Sequence, residues 1–316
     1  MAANVISVVC SACKRRAAFF SRPYSGERLC RKCFVESIEA KVRATVARYR
    51  MFGFDDRIAV AVSGGKDSIS LLHVLAKMER LHPEASLVTL TVDEGIKGYR
   101  DEALAIAAAN CKKLGIAHHV VSFKELYGLT LDEIVAKAHR KDGRVLTPCA
   151  YCGVLRRRAL NLAAREVGAF KIATAHTLDD EVQTILLNLF RGDVLRLAKE
   201  KPMTDEVHQN FVQKVKPFCE VPERESTLYA YVKNVRFQDV PCPYASEALR
   251  NDARAILNRL EERHAGTKFT VFKLIERIRP ALTEIVKKDG FQECVECGEP
   301  ASSGLCRACE LLRQLG

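Results

Sequence analysis

Residues 57–62 read RIAVAV, and the chain then turns at once through Ser63-Gly64-Gly65-Lys66-Asp67-Ser68 into a helical pattern over 68–79. A short apolar run that ends on paired glycines is the mark of a strand buried on both faces, as in a parallel sheet. The glycines allow a sharp turn that brings backbone N–H groups close to an anion. Ser63, Lys66 and Ser68 add donors, and the helix that follows adds a positive dipole end. The spacing differs from G-x-x-x-x-G-K-S/T, the loop associated with cleavage between the β and γ phosphates.

Further strands are predicted over 87–92, 117–122 and 170–174, with helices over 99–113, 153–167 and 179–190. This alternation predicts an α/β fold, a parallel sheet covered by helices on both faces, with ligands at the carboxyl ends of its strands. Thr91 and Asp93 close the second strand, where a base or ribose would lie. Ala175 and His176 close the fourth, and Asp179 and Asp180 open the next helix. Those carboxylates can hold Mg²⁺ on phosphates or simply complement the helix dipole; their position beside the loop favours the first. His176 is either a general base or a structural histidine. Beyond Arg191 the alternation fades into helices expected over 224–235, 246–262 and 267–288.

Eleven of the thirteen cysteines fall into a pattern: Cys10/Cys13, Cys30/Cys33, Cys149/Cys152, Cys294/Cys297, Cys306/Cys309, and Cys242 between two prolines. Thiols paired two residues apart, in a chain without a recognisable secretion signal, point to metal rather than disulfides. Residues 5–10 are apolar enough to resemble the end of a signal, but no basic segment precedes them. Each terminal module is too small to bury a core, and four thiolates on one Zn²⁺ fold such a module outright. The expected zinc ligands are Cys10, Cys13, Cys30 and Cys33 at one end and Cys294, Cys297, Cys306 and Cys309 at the other. These ribbons can serve as scaffolds or touch nucleic acid. The division expected is 1–33 for the first ribbon, 34–215 for the core and its leading helix, 216–290 for a helical region contributing Cys242, and 291–316 for the second ribbon. Cys111 reads as a small buried hydrophobe.

Cys149, Cys152 and Cys242 number three, one short of a closed zinc site. Their spacing leaves three readings open: an iron–sulfur cluster with one iron left open, a redox pair carrying a persulfide, or a third zinc site completed by Cys219 or a histidine. The helix start and Arg156 are expected to favour their thiolates. A formal charge of +11 suits a polyanionic partner, the more so because Arg156, Arg157 and Arg158 stand together. The longest apolar stretches, such as 103–109, fall far short of the roughly 18 residues a membrane span requires. A cytoplasmic protein is expected.

SGGKDS after a buried strand resembles the PP-loop of ATP pyrophosphatases, which split ATP between the α and β phosphates and transfer adenylate. The series of paired C-x-x-C, SGGKDS, PCAYCGVLRRRAL, AHTLDDE, PCP and a second paired C-x-x-C resembles, from Cys10 to Cys309, the TtuA-type tRNA 2-thiouridine synthetases. Archaeal and eukaryotic wobble-uridine thiolation proteins are relatives of that type. The resemblance implies a HUP-like core and ATP contacts at Ala61, Ser63, Gly64, Gly65, Lys66, Asp67, Ser68 and Ala175. It implies a 4Fe-4S cluster on Cys149, Cys152 and Cys242, and zinc in each ribbon. It also implies catalytic roles for Arg156 and Asp180. Bacterial members carry lysine at the first of these positions; an arginine is a fixed charge suited to steadying the α-phosphate rather than to moving a proton. The partners implied are tRNA, a ubiquitin-like carrier with a C-terminal thiocarboxylate or free sulfide, and a second copy of the chain. The expected reaction adenylates the C2 oxygen of a uridine and replaces it with sulfur. Rival readings are a PP-loop sulfurtransferase acting on tRNA cytidine, a PP-loop lysine ligase for tRNA, and a non-catalytic zinc-ribbon nucleic-acid binder.

Overall fold

The computed structural model describes residues 8–139, 146–205, 208–245, 248–286 and 292–315. An antiparallel hairpin, β1 (Phe20–Arg22) and β2 (Glu27–Leu29), opens the chain and leads into α1 (Arg31–Arg48). Strands and helices then alternate as expected: β3 (Arg57–Ala61), α2 (Lys66–Glu79), β4 (Ser86–Asp93), α3 (Arg100–Leu114) and β5 (Ala117–Ser122). Two helices missing from the sequence reading follow, α4 (Phe123–Tyr127) and α5 (Leu131–His139). Next come α6 (Pro148–Glu166), β6 (Lys171–Ala173), α7 (Leu178–Phe190) and α8 (Val194–Lys199). A further strand, β7 (Gln213–Val215), lies where an all-helical stretch was expected. Only three residues long, it carries no period-2 pattern to detect. Helices α9 (Glu223–Val232), α10 (Ala248–Arg263) and α11 (Thr267–Ile285) precede the short strands β8 (Gln292–Glu293) and β9 (Pro300–Ala301), and α12 (Arg307–Leu315) closes the chain. Residues 246–247 and 287–288 of the expected helices lie outside the described residues.

The central sheet is parallel throughout, in the order β5-β4-β3-β6-β7. Strand order therefore reverses between β3 and β6, and the crevice above their carboxyl ends is where such sheets bind ligands. Alternation along the strands splits the core into two layers. Ile58, Val60 and Val62 pack with Ile69 and Leu72 of α2 and Ile106 of α3, while Ala59, Val88, Leu90 and Ile172 pack on Ala163 and Ala164 of α6. Helices α10 and α11 lie against α7, α11 also against α8, and α9 covers α2 and α1.

Both terminal modules are fastened to this frame. Phe20, Leu29, Cys10 and Cys30 belong to the same apolar cluster as Phe34 and Ile38 of α1. Arg22, 4% exposed, meets Glu225 of α9 at 2.9 Å. Removing either partner would strand a buried charge. At the other end α12 packs on α5 and α6, and Glu299 accepts from Asn161 at 3.0 Å and from Arg165 at 2.5 Å.

Candidate active site

The phosphate loop joins β3 to α2, and its helix begins at Lys66, two residues before the expected start. Lys66 and Asp67 therefore occupy the first turn. Gly64 has φ +90°, and a Cβ there would stand 2.7 Å from the Ala103 carbonyl oxygen. Only glycine fits. Ser68 donates to the Gly65 carbonyl at 2.9 Å and accepts from the Ser63 N–H at 3.1 Å, closing the loop on itself. Lys66 reaches Asp67 at 2.7 Å and Glu223 of α9 at 2.9 Å, and Ser226 donates to Asp67 at 2.6 Å. Burial works against the Lys66 charge, but these two carboxylates hold its pKa above the ordinary lysine value. Burial raises that of Asp67, against Lys66 and Ser226.

A cavity of about 370 Å³ lies above this loop at the β3/β6 reversal. Ala61, Ser63, Asp67, Ser68, Ala175 and Asp180, all predicted site residues, line it. Thr91 and Asp93 stand outside the lining. Thr91 is buried, donates to the Val62 carbonyl at 2.8 Å and meets His118 at the same distance, and Asp93 caps the Gly95 N–H at 2.9 Å. Their neighbours Leu90, Val92 and Glu94 face the cavity instead, because alternate residues of a strand point to opposite faces.

The paired aspartates of α7 divide their work. Asp179 is buried and binds Lys268 of α11 and, at 2.7 Å, the N–H of Glu223, so it fastens helices. Asp180 borders the cavity while its Oδ2 accepts from the N–H and hydroxyl of Thr177 at 3.0 and 2.9 Å. It is thus both a helix cap and a cavity carboxylate. His176 lines the cavity and is exposed to it; desolvation and then Lys216 push its pKa down to about 4. It is neutral near pH 7.

The thiols sit on a helix, not on the loop expected before it. Pro148 at the first position and Thr147 accepting from the Ala150 N–H at 3.3 Å start α6 at residue 148. Cys149, Cys152 and Arg156 then fall on one stripe at three- and four-residue spacing. Cys242 arrives from the segment after α9, which is stitched to the phosphate loop. There Gln238 donates through its backbone to the Gly64 carbonyl at 2.9 Å and through its side chain to the Tyr99 carbonyl at 2.8 Å. The Cys149 thiol donates to the Tyr244 carbonyl at 3.2 Å, and the Tyr244 hydroxyl bonds Asp132 at 2.7 Å. All three thiols act on the Arg156 guanidinium, whose charge burial opposes and Cys152, Glu94, Cys242 and Cys149 favour. Arg156 favours the Cys152 thiolate, as expected, but is outweighed there. Burial pushes that thiol up to about 11, with Arg156 pulling the other way. A bound cation is what would convert it to thiolate.

Glu94 and Arg100 were not anticipated. Both are 4% exposed, and they form an ion pair at 2.8 Å. Arg100 also donates to the Ser63 carbonyl at 3.1 Å and to that of Val92, and Arg156 lies 3.6 Å from the other oxygen of Glu94. A charged chain thus runs from the phosphate loop to the thiols.

The donor sets differ in kind. In each ribbon four sulfurs lie within 4.8 Å of one another, with Cys13 to Cys30 at 4.0 Å and Cys297 to Cys306 at 3.7 Å. A tetrahedral Zn–S bond of about 2.3 Å implies sulfurs roughly 3.8 Å apart. Cys10 is drawn down to about 6, chiefly by the N–H groups of Cys13 and Cys30, while Cys33 is raised to about 12 by burial and its neighbours. Four thiolates this close can all be charged only around a cation. Among the described residues no third set this tight occurs, but Cys242 and Cys149 both act on the Cys152 thiol, so the central three are neighbours. An all-sulfur donor set suits a soft metal group. Cys219 lies instead in the main core, fully buried, with its pKa raised by that burial, and takes no part. Cys111 is buried against Thr89, as expected.

The PP-loop domain family matches residues 35–260 of the chain. Cytoplasmic tRNA 2-thiolation protein 1 of Chlamydomonas reinhardtii is 38% identical over 309 residues, which cover 97% of this chain and 85% of that protein. The tRNA 2-thiolation protein NcsA of Haloferax volcanii is 34% identical over 321 residues, covering 97% and 98%. The U34-tRNA thiolase NcsA from Methanococcus maripaludis, solved with its 4Fe-4S cluster, superposes with a TM-score of 0.85 at 31% identity, covering 98% of this chain and 97% of that one. With its phosphate loop, its thiols and nearly its whole length accounted for, the chain belongs to the PP-loop tRNA 2-thiolation proteins.

Proposed function

We propose that this protein is a cytoplasmic, ATP-dependent tRNA thiolase that turns a uridine into 2-thiouridine. The observation that carries the reading is the meeting of nucleotide cavity and thiols through Glu94 and Arg156. An adenylated base and a sulfur donor must share one space, and here a single ion-paired arginine separates them.

ATP would lie with its β and γ phosphates on Ser63, Gly64, Gly65, Lys66 and Ser68. Asp67 and Asp180 would be the carboxylates nearest to hold Mg²⁺. The uridine leaves its stack, at a cost of a few kcal/mol. Its C2 oxygen attacks the α-phosphorus, and the bond to the bridging oxygen breaks so that pyrophosphate departs. Arg156 steadies charge on the α-phosphate and cannot take up the proton. Positioning and fixed charges supply most of the rate. A sulfur nucleophile arriving from the thiol side then adds at C2, and AMP leaves with the former C2 oxygen. Cys149, Cys152 and Cys242 would hold a 4Fe-4S cluster, which when bound keeps one iron free of protein ligands to carry sulfide. Zinc would be held by the two terminal quartets. A thiocarboxylated carrier or free sulfide as donor, a homodimer, and four units at 1–33, 34–215, 216–290 and 291–316 belong to the same proposal.

The test is anaerobic incubation with unmodified tRNA, ATP and sulfide, followed by nucleoside mass spectrometry. The expected product is 2-thiouridine, formed only with ATP. 2-Thiocytidine in its place would establish the cytidine reading, and an absence of any thionucleoside would leave a nucleic-acid binder.

A further inference from the structure

Beside the nucleotide cavity lies a second cavity of about 770 Å³, bounded by α6, α7, α8, α10 and α12. Arg157, Arg191, Arg196, Lys199, Arg250 and Arg307 line it, against one carboxylate, Glu200. That carboxylate is itself bound to Lys216. Outside the lining, Asp193 lies 3.2 Å from Arg196, and Glu310 lies 2.7 Å from Arg307. The remaining positive charge is crowded. Burial, and then Arg156 and Arg196, hold the Arg157 pKa below its ordinary value, and Lys214 is pushed down to about 8 by burial and then by Arg157. Cations gathered this way are relieved by a polyanion. Val154, Leu187 and Leu311 supply an apolar floor.

The two cavities are neighbours across a shared wall. Arg250 lies 3.5 Å from Asp180 and donates to Thr184 at 3.0 Å; Asp180 lines the nucleotide cavity, and Arg250 and Thr184 line the basic one. Successive residues of α6, Arg156 and Arg157, line one cavity each. A strand passing over the basic cavity therefore delivers a neighbouring base to the nucleotide.

We infer that this arginine-lined cleft is the track for the phosphodiester backbone of single-stranded RNA, holding the nucleotides that flank the target base. The inference rests on the thiolase reading and names where its substrate lies. Guanidinium forks match phosphate oxygens in pairs, and an apolar floor accepts a base face. A folded acidic protein buries about 800 Å² of its own surface in a stable contact, a broad face that a concave slot admits poorly.

The experiment measures binding of the full-length protein to labelled tRNA, and to the target stem-loop alone, by anisotropy between about 50 and 200 mM salt. The Arg191→Glu/Arg196→Glu double variant and the Arg157→Gln variant are compared with Arg43→Glu, on an exposed face of α1. The cleft variants are expected to lose at least about tenfold in affinity, with a salt slope shallower by about 0.7 per lost contact, while ATP affinity stays at the wild-type value. Arg191→Lys/Arg196→Lys should recover most of the RNA affinity, and Arg43→Glu should lose none. Unchanged RNA affinity and slope in cleft variants that still bind ATP would overturn the assignment. So would a loss confined to tripolyphosphate binding, or confined to an acidic sulfur-donor protein. If the wild type thiolates tRNA and the variants do so with unchanged KM, only the cleft assignment falls. If the wild type binds no tRNA, the thiolase reading falls with it.

Discussion

The terminal cysteine quartets and the central cysteine triad use the same side chain to opposite ends. In the quartets the sulfurs lie within 4.8 Å of one another, mostly buried, with loops and short strands folded around them. In the triad Cys149 is exposed, Cys152 and Cys242 are half-buried, and two of the three stand within the first five residues of a long helix. A closed tetrahedral set satisfies its metal and leaves nothing to react, whereas a three-ligand set beside a cavity would leave a position open. Number and exposure of thiols, more than their chemistry, separate scaffold from site.

The largest effect should come from the triad. Replacing Cys149, Cys152 or Cys242 with alanine should abolish thiolation and the visible absorbance of a sulfur-ligated iron cluster, with ATP affinity retained. Full turnover by Cys242→Ala would break the comparison, since the triad would then be no functional unit. Next is the quartet. Cys30→Ala should release one zinc and cost at least about 4 kcal/mol of stability by denaturant unfolding. An unchanged midpoint would mean that the ribbon is held by packing and by Arg22–Glu225 alone. Gly64→Ala comes third. The strained φ and the approach to Ala103 should cost about 1–3 kcal/mol and weaken ATP binding measured by calorimetry, with the thiol site intact. Smallest is His176. Its folded pKa of about 4 lies below the unfolded value of about 6.5, so the folded state binds fewer protons between these pH values. Its contribution to stability is full above about pH 6.5 and is lost as pH falls toward 4. His176→Asn should therefore differ from wild type in the pH slope of stability within that window, and equal slopes would remove His176 from the account.

Much of this was legible beforehand because it rests on local pattern. The strand at 57–61 and its glycine turn, the four-cysteine modules and the alternation of the first 190 residues need only short-range periodicity and spacing. Other parts were not. β7 is too short to show a pattern. Asp179 and Asp180 read alike in sequence but face different partners. Thr91 and Glu94 fall on opposite sides of the ligand boundary because strand parity, not residue type, decides which side chain meets the cavity. Glu94 and Arg100 look like ordinary surface charges until folding buries both.

The sequence alone determined the phosphate loop and the two zinc-ready quartets, because each is written within a few dozen residues whose backbone demands and ligand number are local. Tertiary structure decided how Cys242 comes to pack with Cys152 on one apolar cluster while Cys219 is sunk in another, and that Glu94 and Arg156 link the thiols to the nucleotide cavity. Those facts depend on contacts between residues up to about a hundred positions apart. Such contacts are set by which helix faces the sheet must bury, and one-dimensional spacing does not record them.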